Sequence, residues 1–461
     1  MGWSRVCASL PPETDAERML CDMYDCVLFD LDGTLTDSAP GIVASVEYAL
    51  ERMGRGALPE EWKRLYVGPP LLDSFQRLNG MTPDEALEGV RFFRERYSSV
   101  GWQENRVYPG VPALLRTLKA RGVYLAVATA KPVQFAHQVL EHFGLAPYFD
   151  RICAAPMDES GLPKEELIRR ALPEGTVRAA MVGDRMYDME GARKAGVDGI
   201  GVMYGYGARD ELEKAGARHI CPTVDDLAEL LYEGAAPEPG LMLTFEGIDG
   251  CGKTTQLGML RDWLELCGWQ VTATREPGGC PLGERIRAML LDTGSEGMTA
   301  ECEALLFAAS RAQHTATVLR PALQGGGMVL ADRYVDSSMA YQGAGRGLGM
   351  EAVRGINRMA TRGLEPDMTL LYRLDPERAR ARRQGEDDRI ERERSEFHRR
   401  VCEGFDELMR SEPGRVRALD ATLAPDALFE RTRALAMELL ARDAQRLKEK
   451  GTIARGGASN N

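Results

Sequence analysis

Eight consecutive residues, Gly247-Ile248-Asp249-Gly250-Cys251-Gly252-Lys253-Thr254, have the make-up of a loop that wraps phosphates. Backbone N–H groups of such a turn, with a helix N-terminus behind it, surround phosphate oxygens. Lys253 reaches the phosphoryl group in flight, Thr254 offers its hydroxyl to Mg²⁺, and Thr255 extends the same turn. A second phosphate-handling pattern, Asp30-Leu31-Asp32-Gly33-Thr34, lies far upstream. Two unrelated phosphoryl-transfer sites on one polypeptide imply a fusion of two enzymes.

The chemistry of the first pattern is covalent. One carboxylate, Asp30 or Asp32, attacks phosphorus; the other protonates the leaving oxygen and then activates water. Two carboxylates alone repel a phosphate dianion, so Mg²⁺ must bridge them. Complementary parts follow in order at strand ends. Thr129 offers a hydroxyl to a phosphoryl oxygen, Lys164 neutralises charge, and Gly183-Asp184 with Asp188 supplies further oxygen ligands for the metal. Lys131, inside Ala130-Lys131-Pro132, reads equally well as a solvated surface lysine.

This constellation resembles the haloacid-dehalogenase-like phosphatase superfamily from about residue 24 to 232. The likeness rests on Phe29-Asp30-Leu31-Asp32-Gly33-Thr34-Leu35-Thr36-Asp37-Ser38 and on Gly183-Asp184-Arg185-Met186-Tyr187-Asp188. It implies Asp30 as nucleophile and Asp32 as acid/base. It also implies Asp184 on Mg²⁺ with Asp188 in support, and Thr129 and Lys164 on phosphate. The helical stretch from about 40 to 106 looks like the small cap of phosphoglycolate-phosphatase-like members. Phosphoglycolate-like acids and nucleoside monophosphates both stay open as substrates, as does a non-catalytic regulatory role for this half.

For the glycine loop, the acceptor is written elsewhere. Thr274-Arg275-Glu276-Pro277-Gly278-Gly279, Leu306-Phe307-Ala308-Ala309-Ser310-Arg311, and Asp332-Arg333-Tyr334 followed by Tyr341-Gln342-Gly343 occur in that order. A pyrimidine acceptor, which the family resemblance given below implies, needs a flat apolar surface and a donor for its carbonyl edge. Phe307 and Arg311, four apart on a helix, share one face and supply both. Arg333 beside Asp332 suits clamping an acceptor phosphate while the carboxylate manages Mg²⁺ or its waters. Together with Phe245-Glu246-Gly247 these segments closely resemble thymidylate kinase, from about 241 to 441. That resemblance implies ATP as donor, dTMP as acceptor, and a homodimer through this half. It further implies Tyr341 over the sugar, Asp249 on the 3′-hydroxyl, and Glu276, Pro277 and Gln342 in the acceptor site. Another nucleoside monophosphate is the rival acceptor.

Arg378–Arg400 holds nine arginines among many acids, the usual mark of a solvated, ion-paired helix. The glycine loop itself lacks an arginine, so by family likeness a mobile lid provides the cation, with Arg382, Arg383 and Arg389 as candidates. Arg373 stands where the family usually has an acid.

The elements that must position these groups follow from patterning. Cys26–Phe29, Tyr124–Ala128, Ala179–Val182 and Gly199–Met203 read as buried strands alternating with helices, hence a parallel sheet. Strands near Leu241–Glu246, Gln270–Thr274, Met328–Ala331, Asp367–Tyr372 and Val416–Leu419 repeat that plan. The expected class is α/β with two parallel-sheet domains: a Rossmannoid phosphatase core with a helical cap, and a P-loop nucleoside monophosphate kinase fold. The expected divisions are an extension at 1–22, the phosphatase at 23–232, a Pro/Gly linker at 233–240, the kinase at 241–443, and a disordered tail at 444–461.

With 461 residues, roughly two to four domains fit the length. A net charge of −12 argues against a nucleic-acid partner or a basic membrane binder. The ten cysteines form no C-x-x-C pair and the five histidines no zinc pattern, which reads as free thiols in a reducing compartment. Without an apolar run of spanning length or a secretion signal, the expected setting is cytoplasmic, with small nucleotides and phosphate monoesters as the partners.

Overall fold

Strand Cys26–Phe29 (β1) is buried along its whole length, as its unbroken apolar run demands of a central parallel strand. In the computed structural model, which describes residues 24–157, 162–232, 234–382 and 388–457, it lies in the middle of a six-stranded sheet. The extension at 1–22, Arg383, and Glu233 of the linker fall outside the described residues. The short hairpin partners are Thr36–Asp37 (β2) and Arg106–Val107 (β3), which pair antiparallel. Tyr124–Pro132 (β4), Arg151–Ala155 (β5), Ala179–Gly183 (β6), Asp198–Val202 (β7) and His219–Cys221 (β8) complete the set. The sheet order is β5-β4-β1-β6-β7-β8, all parallel. Phe29 stands in register with Val127 on one side and Val182 on the other. Asp30, Thr129 and Asp184 therefore leave the sheet together at its carboxyl edge, where open α/β sheets bind ligands.

Between β2 and β3 runs a helical segment with its own core, in which Val46, Phe75, Val90 and Phe93 are buried. Its helix Pro83–Arg96 starts on a capping box: Glu85 N–H donates to Thr82 Oγ1, and Thr82 N–H donates to the Glu85 carboxylate. Tyr97 follows directly, in a single π-turn over Tyr97–Gly101, and is buried.

The second sheet uses Leu241–Glu246 (β9), Val271–Arg275 (β10), Met328–Asp332 (β11), Met368–Arg373 (β12) and Val416–Asp420 (β13). Its order is β10-β11-β9-β12-β13, again all parallel, with every residue of the central β9 buried. The glycine loop joins β9 to the helix Lys253–Leu266. Gly247, at φ +132°, presses so close to Tyr372 that an added Cβ would lie 2.4 Å from its carbonyl oxygen.

Among the described residues, those from Tyr24 to Ala236 together with those from Ala444 to Gly457 form one compact unit, and those between Pro237 and Asp443 the other. The disordered tail expected from residue 444 is corrected by the last helix, which continues to Gly457. Good helix formers fill this stretch, and Ala444 and Leu447 are buried, so tertiary packing holds it. Among the described residues, no helix is long and apolar enough to cross a membrane.

Candidate active sites

At the carboxyl edge of the first sheet, Asp30, Asp184 and Asp188 bring one carboxylate oxygen each within 4.8 Å of one another. Like charges at that spacing in a buried site need a cation. Lys164 supplies part of it, with Nζ 2.9 Å from Asp30 Oδ1 and 2.6 Å from Asp188 Oδ1. Burial alone would lower the pKa of Lys164, but the Asp188 and Asp30 carboxylates outweigh it and hold the ammonium charged. Burial, then Asp188, pushes Asp184 well above the usual carboxylate range, and burial lifts Asp188 to about 6 against the pull of Lys164.

Asp184 Oδ2 accepts the Tyr206 N–H at 2.7 Å, whereas Asp184 Oδ1 is buried and has no hydrogen-bond partner. An orphaned carboxylate oxygen facing two other acids fits a hard divalent cation such as Mg²⁺. Backbone packing makes the cluster this tight. A Cβ on Gly183 would meet the Asp188 carboxylate at 2.2 Å, and one on Gly33 would meet Asp184 Oδ2 at 2.3 Å.

Asp32 departs from expectation. Its carboxylate, expected to share the metal with Asp30, turns to Lys131, whose Nζ lies 2.9 Å from Oδ1 and 3.0 Å from Oδ2. Lys131 is buried rather than solvated, and its third contact is the Tyr97 hydroxyl at 2.7 Å. Thr129 Oγ1, also buried, accepts the Lys131 backbone N–H.

In the second unit, a cleft of about 1080 Å³ is lined by Lys253, Thr254, Thr255, Asp332 and Arg382. Thr254 Oγ1 donates to Asp332 Oδ2 at 2.7 Å, which sets two hard oxygens side by side at the mouth of the loop. Lys253 Nζ donates to the Ile248 carbonyl at 3.0 Å, with Cys251 buried beside it. A smaller pocket of about 80 Å³ is lined by Pro277, Phe307, Arg311, Tyr341 and Gln342. Asp249, Glu276, Arg287 and Arg333 line both spaces.

Arg333 has φ +71°, a left-handed conformation that an arginine adopts only under constraint. Its backbone N–H donates to the Phe245 carbonyl. Its guanidinium donates to the Gly247 carbonyl and Ser337 Oγ at 3.0 Å each and to Asp249 Oδ1 at 2.5 Å. Arg311 is buried, and four of its five N–H groups go to Glu276, Ser338, Asn357 and the Tyr334 carbonyl. Glu276 in turn also accepts from or faces His314 Nδ1 at 2.9 Å, so it serves the pocket wall as much as the pocket.

Residues 245–432 match the family model described as Thymidylate kinase, and residues 27–202 match Haloacid dehalogenase-like hydrolase. A thymidylate kinase of Symbiobacterium thermophilum is 46% identical over 203 residues, which is 44% of this chain and 95% of that relative. One of Deinococcus radiodurans is 51% identical over 191 residues, 41% of this chain and 92% of the relative. The chain belongs to the thymidylate kinase family. Ahead of the thymidylate kinase segment it carries the haloacid dehalogenase-like hydrolase segment. A solved predicted phosphatase from Clostridium acetobutylicum is 42% identical, covering 46% of this chain and 99% of that one, with a TM-score of 0.43.

Within the thymidylate kinase segment the two described candidates for the lid cation, Arg382 and Arg389, part company. Arg382 lines the larger cleft and donates to the Ala421 carbonyl at 2.9 Å. Arg389 sits elsewhere: it donates to the Leu290 carbonyl at 2.8 Å and ion-pairs with the buried Glu303 at 2.7 Å. Sequence reasoning missed Arg287, Glu303, Tyr97 and Tyr206. Helical spacing three residues after Glu284 marks Arg287 in retrospect, while the other three depend on contacts across long sequence separations.

Proposed function

We propose that the chain is a bifunctional enzyme. Its thymidylate kinase half transfers the γ-phosphoryl of ATP to dTMP, giving dTDP, and its other half hydrolyses a phosphate monoester through Asp30. One observation carries the kinase reading: Asp249, Glu276, Arg287 and Arg333 line both the nucleotide cleft and the small aromatic pocket. A donor phosphate held by Gly250, Gly252, Lys253 and Thr254 and an acceptor phosphate held by Arg287 and Arg333 then share one space. Positioning and charge neutralisation are most of what phosphoryl transfer needs. Phe307 stacks the base, Arg311 has one N–H left for its edge, and Tyr341 and Asp249 take the sugar side. Arg382 is the lid arginine for the transferring group.

In the hydrolase half, Asp30, Asp184 and Asp188 would hold Mg²⁺, with the Asp32 backbone segment beside them. When bound, the ion supplies charge neutralisation for the incoming dianion. Lys164 and the Thr129 hydroxyl bind phosphoryl oxygens. An Asp30 carboxylate oxygen bonds to phosphorus as the ester P–O bond breaks, and the departing alkoxide takes a proton from Asp32. Water then attacks the aspartyl phosphate, returns a proton to Asp32, and releases inorganic phosphate with Asp30 restored.

Supplying ATP and Mg²⁺ with dTMP, dUMP, dCMP, dGMP or UMP tests the first half; preference for an acceptor other than dTMP overturns it. Phosphate release from phosphoglycolate and from nucleoside monophosphates tests the second. An Asp30→Asn variant must lose that release while keeping dTMP phosphorylation; undiminished release would overturn the role of Asp30, and no release by the wild type would leave this half a non-catalytic module.

A further inference from the structure

Gln342 lines the small pocket with Phe307 and Arg311. A glutamine amide has a donor face and an acceptor face, and which one meets a ligand depends on what holds the other. Here Nε2 donates to Glu303 Oε1 at 2.9 Å. Glu303 is buried, with its side chain 1% exposed, and it is surrounded by cations. Arg346 grips both its oxygens, Nε to Oε1 at 3.1 Å and Nη2 to Oε2 at 2.9 Å, and Arg389 lies 2.7 Å from Oε2. Burial raises the Glu303 pKa, but Arg346, Gln342 and Arg389 outweigh it and leave the group below the usual carboxylate range. An ionised carboxylate only accepts, so the amide cannot turn over without setting its carbonyl against Glu303.

We propose that Glu303, clamped by Arg346 and Arg389, is a specificity-determining positioning residue that locks Gln342 with its carbonyl toward the base. The inference rests on the thymidylate reading of this pocket and adds how the base is chosen. A fixed carbonyl accepts a hydrogen bond from the N3–H of thymine or uracil. Cytosine presents a lone pair at N3, so two acceptors face each other in a buried place. A site built to hydrogen-bond one edge rejects the edge that lacks it more strongly than shape alone could. Glu303 also pairs with Arg389, so reading the base and seating the segment around Arg389 share one carboxylate.

The test is the ratio of kcat/KM for dTMP over dCMP in the full chain, wild type against Glu303→Gln. A glutamine at 303 donates as well as accepts, which frees the amide of Gln342 to turn. The ratio should fall roughly tenfold, chiefly through a higher KM for dTMP, with dUMP following dTMP. In a Gln342→Met background the same substitution at 303 should leave the ratio unmoved, because the effect passes through the amide. A ratio unchanged by Glu303→Gln alone overturns the inference. If that variant does not fold, wild-type binding of N3-methyl-dTMP decides: it should be at least roughly tenfold weaker than dTMP, and equal binding overturns the inference. Failure of the wild type to phosphorylate dTMP at all would instead strike the thymidylate reading.

Discussion

The ammonium of Lys131 touches both carboxylate oxygens of Asp32 on one side and the Tyr97 hydroxyl, contributed by the helical insert, on the other. Tyr97 is itself pinned, stacked on Phe93 and edge-on to Phe135 with centroids 5.1 Å away in each case. Lys131→Met leaves Asp32 without its cation and should cut phosphate release by at least about tenfold, with dTMP phosphorylation intact. Tyr97→Phe removes one hydrogen bond only, and the loss should be roughly two- to fivefold. Steady-state assays of both activities on each variant check this; full release by Lys131→Met would contradict it.

Asp184 has a buried oxygen without a hydrogen-bond partner and, unlike Asp30 and Asp188, no ion pair with Lys164, so its replacement should show the metal's role most cleanly. Asp184→Asn is expected to lower phosphate release on the order of 10²-fold and to weaken Mn²⁺ binding, read by electron paramagnetic resonance. Nucleotide phosphorylation in the same variant should stay Mg²⁺-dependent and unimpaired. Equal loss of both activities would mean that the substitution damages folding rather than one site.

Arg382 and Arg389 should separate kinetically. Arg382→Ala removes a cation from the nucleotide cleft and is expected to lower kcat for dTMP phosphorylation by about 10²-fold, with little change in the KM for dTMP. Arg389→Ala loosens Glu303 instead, so the KM for dTMP should rise several-fold while kcat changes less. Identical profiles for the two variants would refute the division.

Glu246 gives a pH signature. It is buried at the end of β9 and accepts from Tyr334 N–H, Ser337 N–H and the Ser337 hydroxyl. Burial, then the Asp336 carboxylate, pushes its pKa up to about 7. Between its ordinary value and 7 the folded state holds a proton that the unfolded state has released. Stability from this group therefore falls as pH rises through that window and is gone above it. Glu246→Gln imitates the protonated form, so its Tm relative to wild type should be about 3 °C or more higher at pH 8 than at pH 5. A constant difference across that range would show that Glu246 does not titrate there.

Both sheets were legible because buried parallel strands are written as continuous apolar runs, as in Cys26–Phe29 and Leu241–Glu246. Strands β5 and β8 escaped: they lie at sheet edges, with Arg151 exposed and His219 half-buried, and so lack an unbroken apolar run. Asp30 and Asp184 could be placed together because each follows a legible strand that reaches the same edge, whereas Lys164 follows the missed β5 and was assigned by family resemblance. Lys131 could not be assigned, since a lysine's burial depends on its partners, and these come from Asp32 and from the distant Tyr97. The lid arginines illustrate the same limit. Arg382 and Arg389 share one charged stretch, and only tertiary contacts send one to the nucleotide cleft and the other to Glu303.

Gly33 and Gly183 touch the buried carboxylates of Asp184 and Asp188 so closely that even a methyl group has no room. Alanine, the smallest departure from glycine, already displaces an acid at either position. The hydrolase half is thus sensitive at two backbone sites that perform no chemistry, because an added Cβ at either can be seated only by moving one of the acids. Selection for the reaction must act there on the absence of a side chain.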